Sequence, residues 1–112
     1  MIENAQILRI DTLGAPSASG DRTFVNGSSI SVDCCLDAPT SAQIYQLGAT
    51  IEGATSVVYV DFDPELAIAP GNRITVFMYV EPDVPLTLIV MKINGPIGGE
   101  GLSHWELFAR AA

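Results

Sequence analysis

Few residue types in this chain are equipped for chemistry. A single His and a single Trp stand side by side as His104 and Trp105 in GLSHWELFAR. His is the commonest general base, and Ser103 beside it raises nucleophilic catalysis. The spacing works against it: on a strand, neighbours point to opposite faces and cannot share a proton. Asp61 and Asp63 in VDFDPE share one strand face and are able to hold a cation. Hard cations take more oxygen ligands than this pair supplies, so a solvated strand end is the simpler reading. Cys34 and Cys35 are adjacent, with Cα atoms ~3.8 Å apart, closer than a disulfide spans. They are too few for a metal site. No Lys, Arg or His lies near them in sequence to lower a thiol pKa, so they read as reduced thiols, one of them buried. NGPIGGEG lacks GK[ST] and opens no helix, so it is not a phosphate cradle. These residues predict no catalytic group, no metal site and no cofactor.

The elements that would position them alternate between apolar and polar residues, the signature of half-buried strands. Strands are expected at 5–12, with Leu8 and Ile10 on one face and Arg9 and Asp11 on the other. Further strands are expected at 29–36, 55–62, 73–80, 86–93 and 102–110. Trp105, Leu107 and Ala109 should face the core, with Trp105 as an anchor. His104, Glu106, Phe108 and Arg110 should form a polar outer face. EPDVP and NGPIGGEG read as turns, and DPELAIAPGN as a connection. LGAPSASGDRTFVNGS reads as a long flexible loop over 13–28, with a short strand within Arg22–Val25. Asp37 or Thr40 is placed to cap a short helix over 40–47, which Gly48 would end.

The 112 residues suit one domain with one core. Apolar residues make up 48% and charged residues 16%, which argues against disorder. Short antiparallel strands joined by turns predict an all-β fold: a small closed β-barrel of five to six strands with one short helix and long loops. The net charge of −8, from 13 carboxylates and five bases, argues against tight binding to nucleic-acid phosphates or to an anionic membrane. Partners should be proteins. No run reaches the about 18 apolar residues that span a bilayer. MIENAQILRID lacks a signal-peptide pattern, so a cytoplasmic site of synthesis is expected.

Four stretches, VDCCLDAPTSAQIYQLGATIEG, SVVYVDFDPEL, APGNRITV and GLSHWELFARA, resemble the head-tail connector proteins of tailed phages, in particular the head-closure or stopper group. The similarity spans residues 29–112. In that family a C-A-L-D-P-like strand end leads into a short helix. A V-Y-V strand follows, then a G-D-R turn, and last a G-L-S-H-W-E-L strand, its most specific segment. These map onto Val32–Pro39, Val58–Val60, Gly71–Arg73 and Gly101–Leu107. Asn72 stands where an Asp is common, and Cys35 where a small residue is usual.

The resemblance implies a ring of β-barrels in the virion neck, between portal or adaptor and the tail-joining or tail-tube proteins. Such a ring extends the DNA channel and helps retain packaged DNA. It implies assembly rather than turnover, a homo-oligomer, transient passage of DNA without sequence specificity, and no membrane. Some of Asp61, Asp63, Glu65, Glu81 and Asp83, expected on two inter-strand connections, would line the lumen, where carboxylates let DNA slide. The 13–28 loop, with Gly14, Ser17, Gly20, Asp21 and Arg22, is a candidate contact to a neighbouring ring. The Asn94–Gly101 turn, with Gly98 and Gly99, is a second. His104, Glu106 and Arg110 are candidates for a subunit interface. The alternatives are a head-tail adaptor or other tail-joining neck protein, or a non-viral ligand-binding β-domain built on Tyr59, Phe77 and Tyr79. A small hydrolase resting on His104 is the weakest reading.

Overall fold

A computed structural model describes residues 3–40, 54–61, 66–97 and 103–112. Within them the regular structure is all strand: β1 (Ala5–Leu13), β2 (Phe24–Val25), β3 (Ser29–Asp37), β4 (Ser56–Asp61), β5 (Arg73–Met78), β6 (Glu81–Ile97) and β7 (His104–Ala111). The expected helix over 40–47 falls, apart from Thr40, outside the described residues.

Six strands close on themselves in the order β1-β3-β4-β7-β6-β5, and β5 returns to β1. Every pairing is antiparallel. The seventh strand, β2, pairs with the last two residues of β1. Closure follows from the alternation. Each strand turns small or branched apolar residues inward: Ala5 and Ile7, Cys34 and Leu36, Val58 and Val60, Ile74 and Val76, Leu88 and Val90, Leu107 and Ala109. Burying each Val, Leu or Ile contributes roughly 1.5–3 kcal/mol, and the closed sheet leaves few open edges.

Several details correct the sequence reading. On β5, Val76 and Thr75 are consecutive, whereas their β1 partners Ile7 and Arg9 are two apart. One extra residue bulges from β1 there. Ile7 and Ile10 therefore both reach the core, instead of Leu8 and Ile10 sharing a face. Asp11, next to Ile10, is carried to the outer side.

EPDVP is not a turn. Tyr79 and Val80 make the link, with Met78 opposite Glu81, and EPDVP opens the long strand β6. Pro82 and Pro85 fit because this stretch is an edge: β7 runs out at Ala111, opposite Leu88. Asn94–Ile97 likewise belong to β6, paired as Asn94↔Glu106 and Ile97↔His104 across a register shift. Phe108 is not on a polar face. It is fully buried in a second cluster with Val57, against Ala54 and Tyr59. Trp105 packs half-buried on the main core.

Candidate assembly surfaces

The 13–28 segment is a hydrogen-bonded hairpin rather than an irregular loop. Beyond the β1–β2 pairing, Gly14 N–H donates to Thr23 O at 2.8 Å, Ser17 N–H to Asp21 O at 2.7 Å and Gly20 N–H to Ser17 O at 2.9 Å. Arg22 Nε donates to Gly14 O at 2.9 Å, and Ser19 Oγ to Asp21 Oδ2 at 3.2 Å. All five candidate contacts of this segment thus sit on one projecting element.

Asp11 ties that element to the barrel. Its side chain is fully buried. Oδ1 accepts from Gly27 N–H at 2.9 Å, and Oδ2 accepts from Arg73 Nε at 2.9 Å. Arg9 Nη2 also donates to Oδ2, at 3.3 Å. Arg9 Nε stands 2.9 Å from Oδ1 but off the line of its own N–H. Arg73 in turn lies over the Phe24 ring, 4.5 Å from its centroid. Burial is the largest influence on this carboxyl and raises its pKa. The Gly27, Arg73 and Arg9 contacts together outweigh it and hold Asp11 below its ordinary value. The sequence reading missed this cluster because a bulge and a partner 62 residues away leave no local pattern.

The acidic candidates do not form one group. Asp61 is the exposed last residue of β4, whereas Glu81 and Asp83 are exposed within β6. This corrects their placement on inter-strand connections. β4 and β6 both run antiparallel to β7, so the end of β4 and the start of β6 lie at opposite ends of the barrel. Asp63, Glu65, Gly98 and Gly99 lie outside the described residues.

On β7, His104 faces outward. It pairs with Asp61 across the sheet, with the Tyr59 ring 6.2 Å away between centroids. Glu106 accepts from Asn94 Nδ2 at 3.2 Å. Arg110 is exposed and donates to Ala111 O at 3.2 Å. Tyr59, Phe77 and Tyr79 do not make one platform. Phe77 and Tyr79 meet edge to face at 5.8 Å, while Tyr59 lies on β4, with β1 and β3 in between. Tyr79 donates its hydroxyl to Asp33. That bond pushes the phenol up to about 12. The same bond, with Gln6, draws Asp33 down. Burial pushes the Cys34 thiol up to about 12, so it packs rather than reacts. Among the described residues no group of three or more His, Cys, Asp or Glu is placed to hold a metal.

No family model matches the chain. No curated protein matches it either. In fold it is similar to protein SF1141 from Shigella flexneri 2a, solved in solution. The TM-score is 0.59 over 97% of this chain and 93% of that one, at 16% identity. At that identity the likeness is one of fold.

Proposed function

We propose that the chain is a structural component of a phage neck: a head-closure (stopper) protein whose copies form a ring between portal or adaptor and tail. The observation that carries the reading is GLSHWELFARA, the most specific segment of the resemblance. Its residues His104–Ala111 form β7, the strand joining β4 to β6 and so closing the barrel. The small closed barrel is the architecture that the resemblance implies. The work of such a protein is assembly, done by its rims and projecting hairpin rather than by a pocket. The chain is made in the host cytoplasm and ends in the virion.

The charge of −8 fits a channel wall. DNA gains nothing from carboxylates, so it passes without sticking. Some of Asp61, Asp63, Glu65, Glu81 and Asp83 line the lumen in this reading. Asp61 and the Glu81/Asp83 pair lie at opposite ends of the barrel, so they do not enter the lumen as one band. A ring structure with all five on its outer wall would overturn that assignment. Disrupting the coding sequence in the phage should leave DNA-filled heads and separate tails. Normal infectious particles without this chain would refute the function. A head-tail adaptor or other tail-joining protein is the nearest variant, separated by the position of the ring in the neck.

One observation favours a second reading, a ligand-binding β-domain. Phe77 and the partly exposed Tyr79 sit beside Asp33 and Gln6, the mixture of ring, carboxylate and amide that suits a polar ligand. A thermal shift with a small molecule and no change with neck proteins would select it.

A further inference from the structure

All six exposed large apolar side chains among the described residues fall at two places. Tyr79, Val80, Val84 and Leu86 lie on the β5–β6 arm, with Val80 82% exposed; Leu13 and Val25 lie on opposite faces of the β1–β2 hairpin, Leu13 beside its partner Phe24 and Val25 beside Thr12. A cluster such as the one on the arm marks a contact surface. On the arm the cause is visible. Leu86 continues the inward-facing row of Leu88 and Val90, but β7 ends opposite Leu88, so nothing in the barrel covers it. The arm is also a poor edge for strand addition. Ala112 N–H donates to Thr87 O, so Thr87 turns its backbone to the open side. Pro85, two residues earlier, presents that edge with no N–H. A partner therefore meets chiefly side chains.

The two patches stand at opposite ends of the molecule. Asp11 pairs with Arg73 and Ala5 with Met78, so the hairpin leaves one end of β1 and the arm rises beside the other, about 25 Å away. Their charges differ as well. Glu81 and Asp83 are exposed on the arm. Arg9, Arg22 and Arg73, three of the five basic residues, gather around the hairpin with Asp11 and Asp21. Copies carrying −8 each repel one another unless acid is brought to base.

We propose that the β5–β6 arm of one copy docks on the β1–β2 hairpin of a second copy of this chain, head to tail. Val80 and Val84 cover the hairpin face that carries Leu13 and Phe24, while Glu81 and Asp83 face Arg22. The contact is heterologous: each copy keeps one free arm and one free hairpin, so the chain of contacts closes into a ring or runs on as a filament. It supplies the joint of the proposed ring, and rests on that reading only for its biological use. Few side chains meet at each joint, well short of the ~800 Å² per partner of a stable pair, so one joint alone is weak.

The test is sedimentation velocity on the full chain from about 10 μM to 1 mM. It compares the wild type, an arm variant (Val80→Asp, Val84→Asp) and a hairpin variant (Leu13→Asp, Arg22→Glu). All four positions are exposed, and circular dichroism checks the folds. The wild type should sediment faster with concentration, and each variant alone should stay monomeric. Their equimolar mixture should form dimers and stop, because only one good arm and one good hairpin remain. Pairing Arg22→Glu with a Glu81→Arg, Asp83→Arg copy should restore association beyond dimers, in alternating order, if the acid variants impair folding. A wild type monomeric at the top concentration overturns the contact. So does a hairpin variant that self-associates like the wild type, which would mean arm-to-arm contact, or a mixture without dimers. These outcomes are separable from the neck assignment. A chain found in particles but monomeric alone sinks only the joint. Head-to-tail dimers from a chain absent from particles sink only the function.

Discussion

Asp11 has the most to lose from substitution. It is fully buried and takes donors from Gly27, Arg73 and Arg9, joining hairpin to barrel through one carboxylate. Asp11→Ala leaves two guanidinium groups facing each other and should cost about 2–3 kcal/mol, less than a fully buried pair because both Arg side chains reach solvent. Chemical denaturation checks this. The pH dependence has a definite sign. The folded pKa lies below the unfolded value, so the stabilisation is complete above the ordinary carboxylate range and fades as pH falls through the folded pKa. Acid titration of stability should therefore drop more steeply for wild type than for Asp11→Asn. Equal slopes would contradict the arrangement. Asn72 is a second such residue. Its Oδ1 accepts from Ala69 N–H at 2.8 Å, and its own backbone bonds Ala69 and Val90. Asn72→Ala should cost about 1–2 kcal/mol, read as a shift in denaturation midpoint. Neither role was legible in sequence. Arg9 and Asp11 looked like an ordinary solvated face, and only the bulge at Leu8 and the distant Arg73 make Asp11 a buried tie.

Strands were the legible part of the chain. Alternation at Cys34 and Leu36, Val58 and Val60, and Ile74 and Val76 named inward residues that are indeed buried, because period two has one physical meaning on a sheet. Proline and glycine misled at both ends of β6. They read as turns in EPDVP and in Asn94–Ile97, yet an edge stretch tolerates residues without an N–H, and a register shift absorbs Gly95 and Pro96. Phe108 misled in the opposite sense. Its parity put it outside, where a second cluster buries it. Phe108→Ala should therefore cost about 3–5 kcal/mol, measured by thermal or chemical unfolding, whereas an outward polar-face residue would cost almost nothing. The hairpin makes its own test. A Cβ on Gly27 would stand 1.9 Å from Ile10 O, so Gly27→Ala should open the hairpin and speed amide exchange at Gly14, Ser17 and Gly20. Gly20→Ala meets no atom but sits at φ +87°. It should cost only about 1–2 kcal/mol and leave Gly14 protected.

As a whole the molecule is a six-strand barrel with two projections, the β1–β2 hairpin and the β5–β6 arm, at opposite ends. The sequence announced the barrel through its patterning and suggested the neck through GLSHWELFARA. It did not announce the arm, because exposure at Leu86 depends on where β7 stops. Deleting Gly14–Gly20 should impair attachment of tails to DNA-filled heads, scored by infectious titre and electron microscopy, if the hairpin is the joint to a neighbour. The proposed function rests on rims that grip other chains. A cryo-EM map of the neck in purified particles tests that most directly. It should contain a ring of small closed barrels into which this chain fits, His104–Ala111 included, with arms reaching the next copy. A neck fully accounted for by other chains would contradict the account.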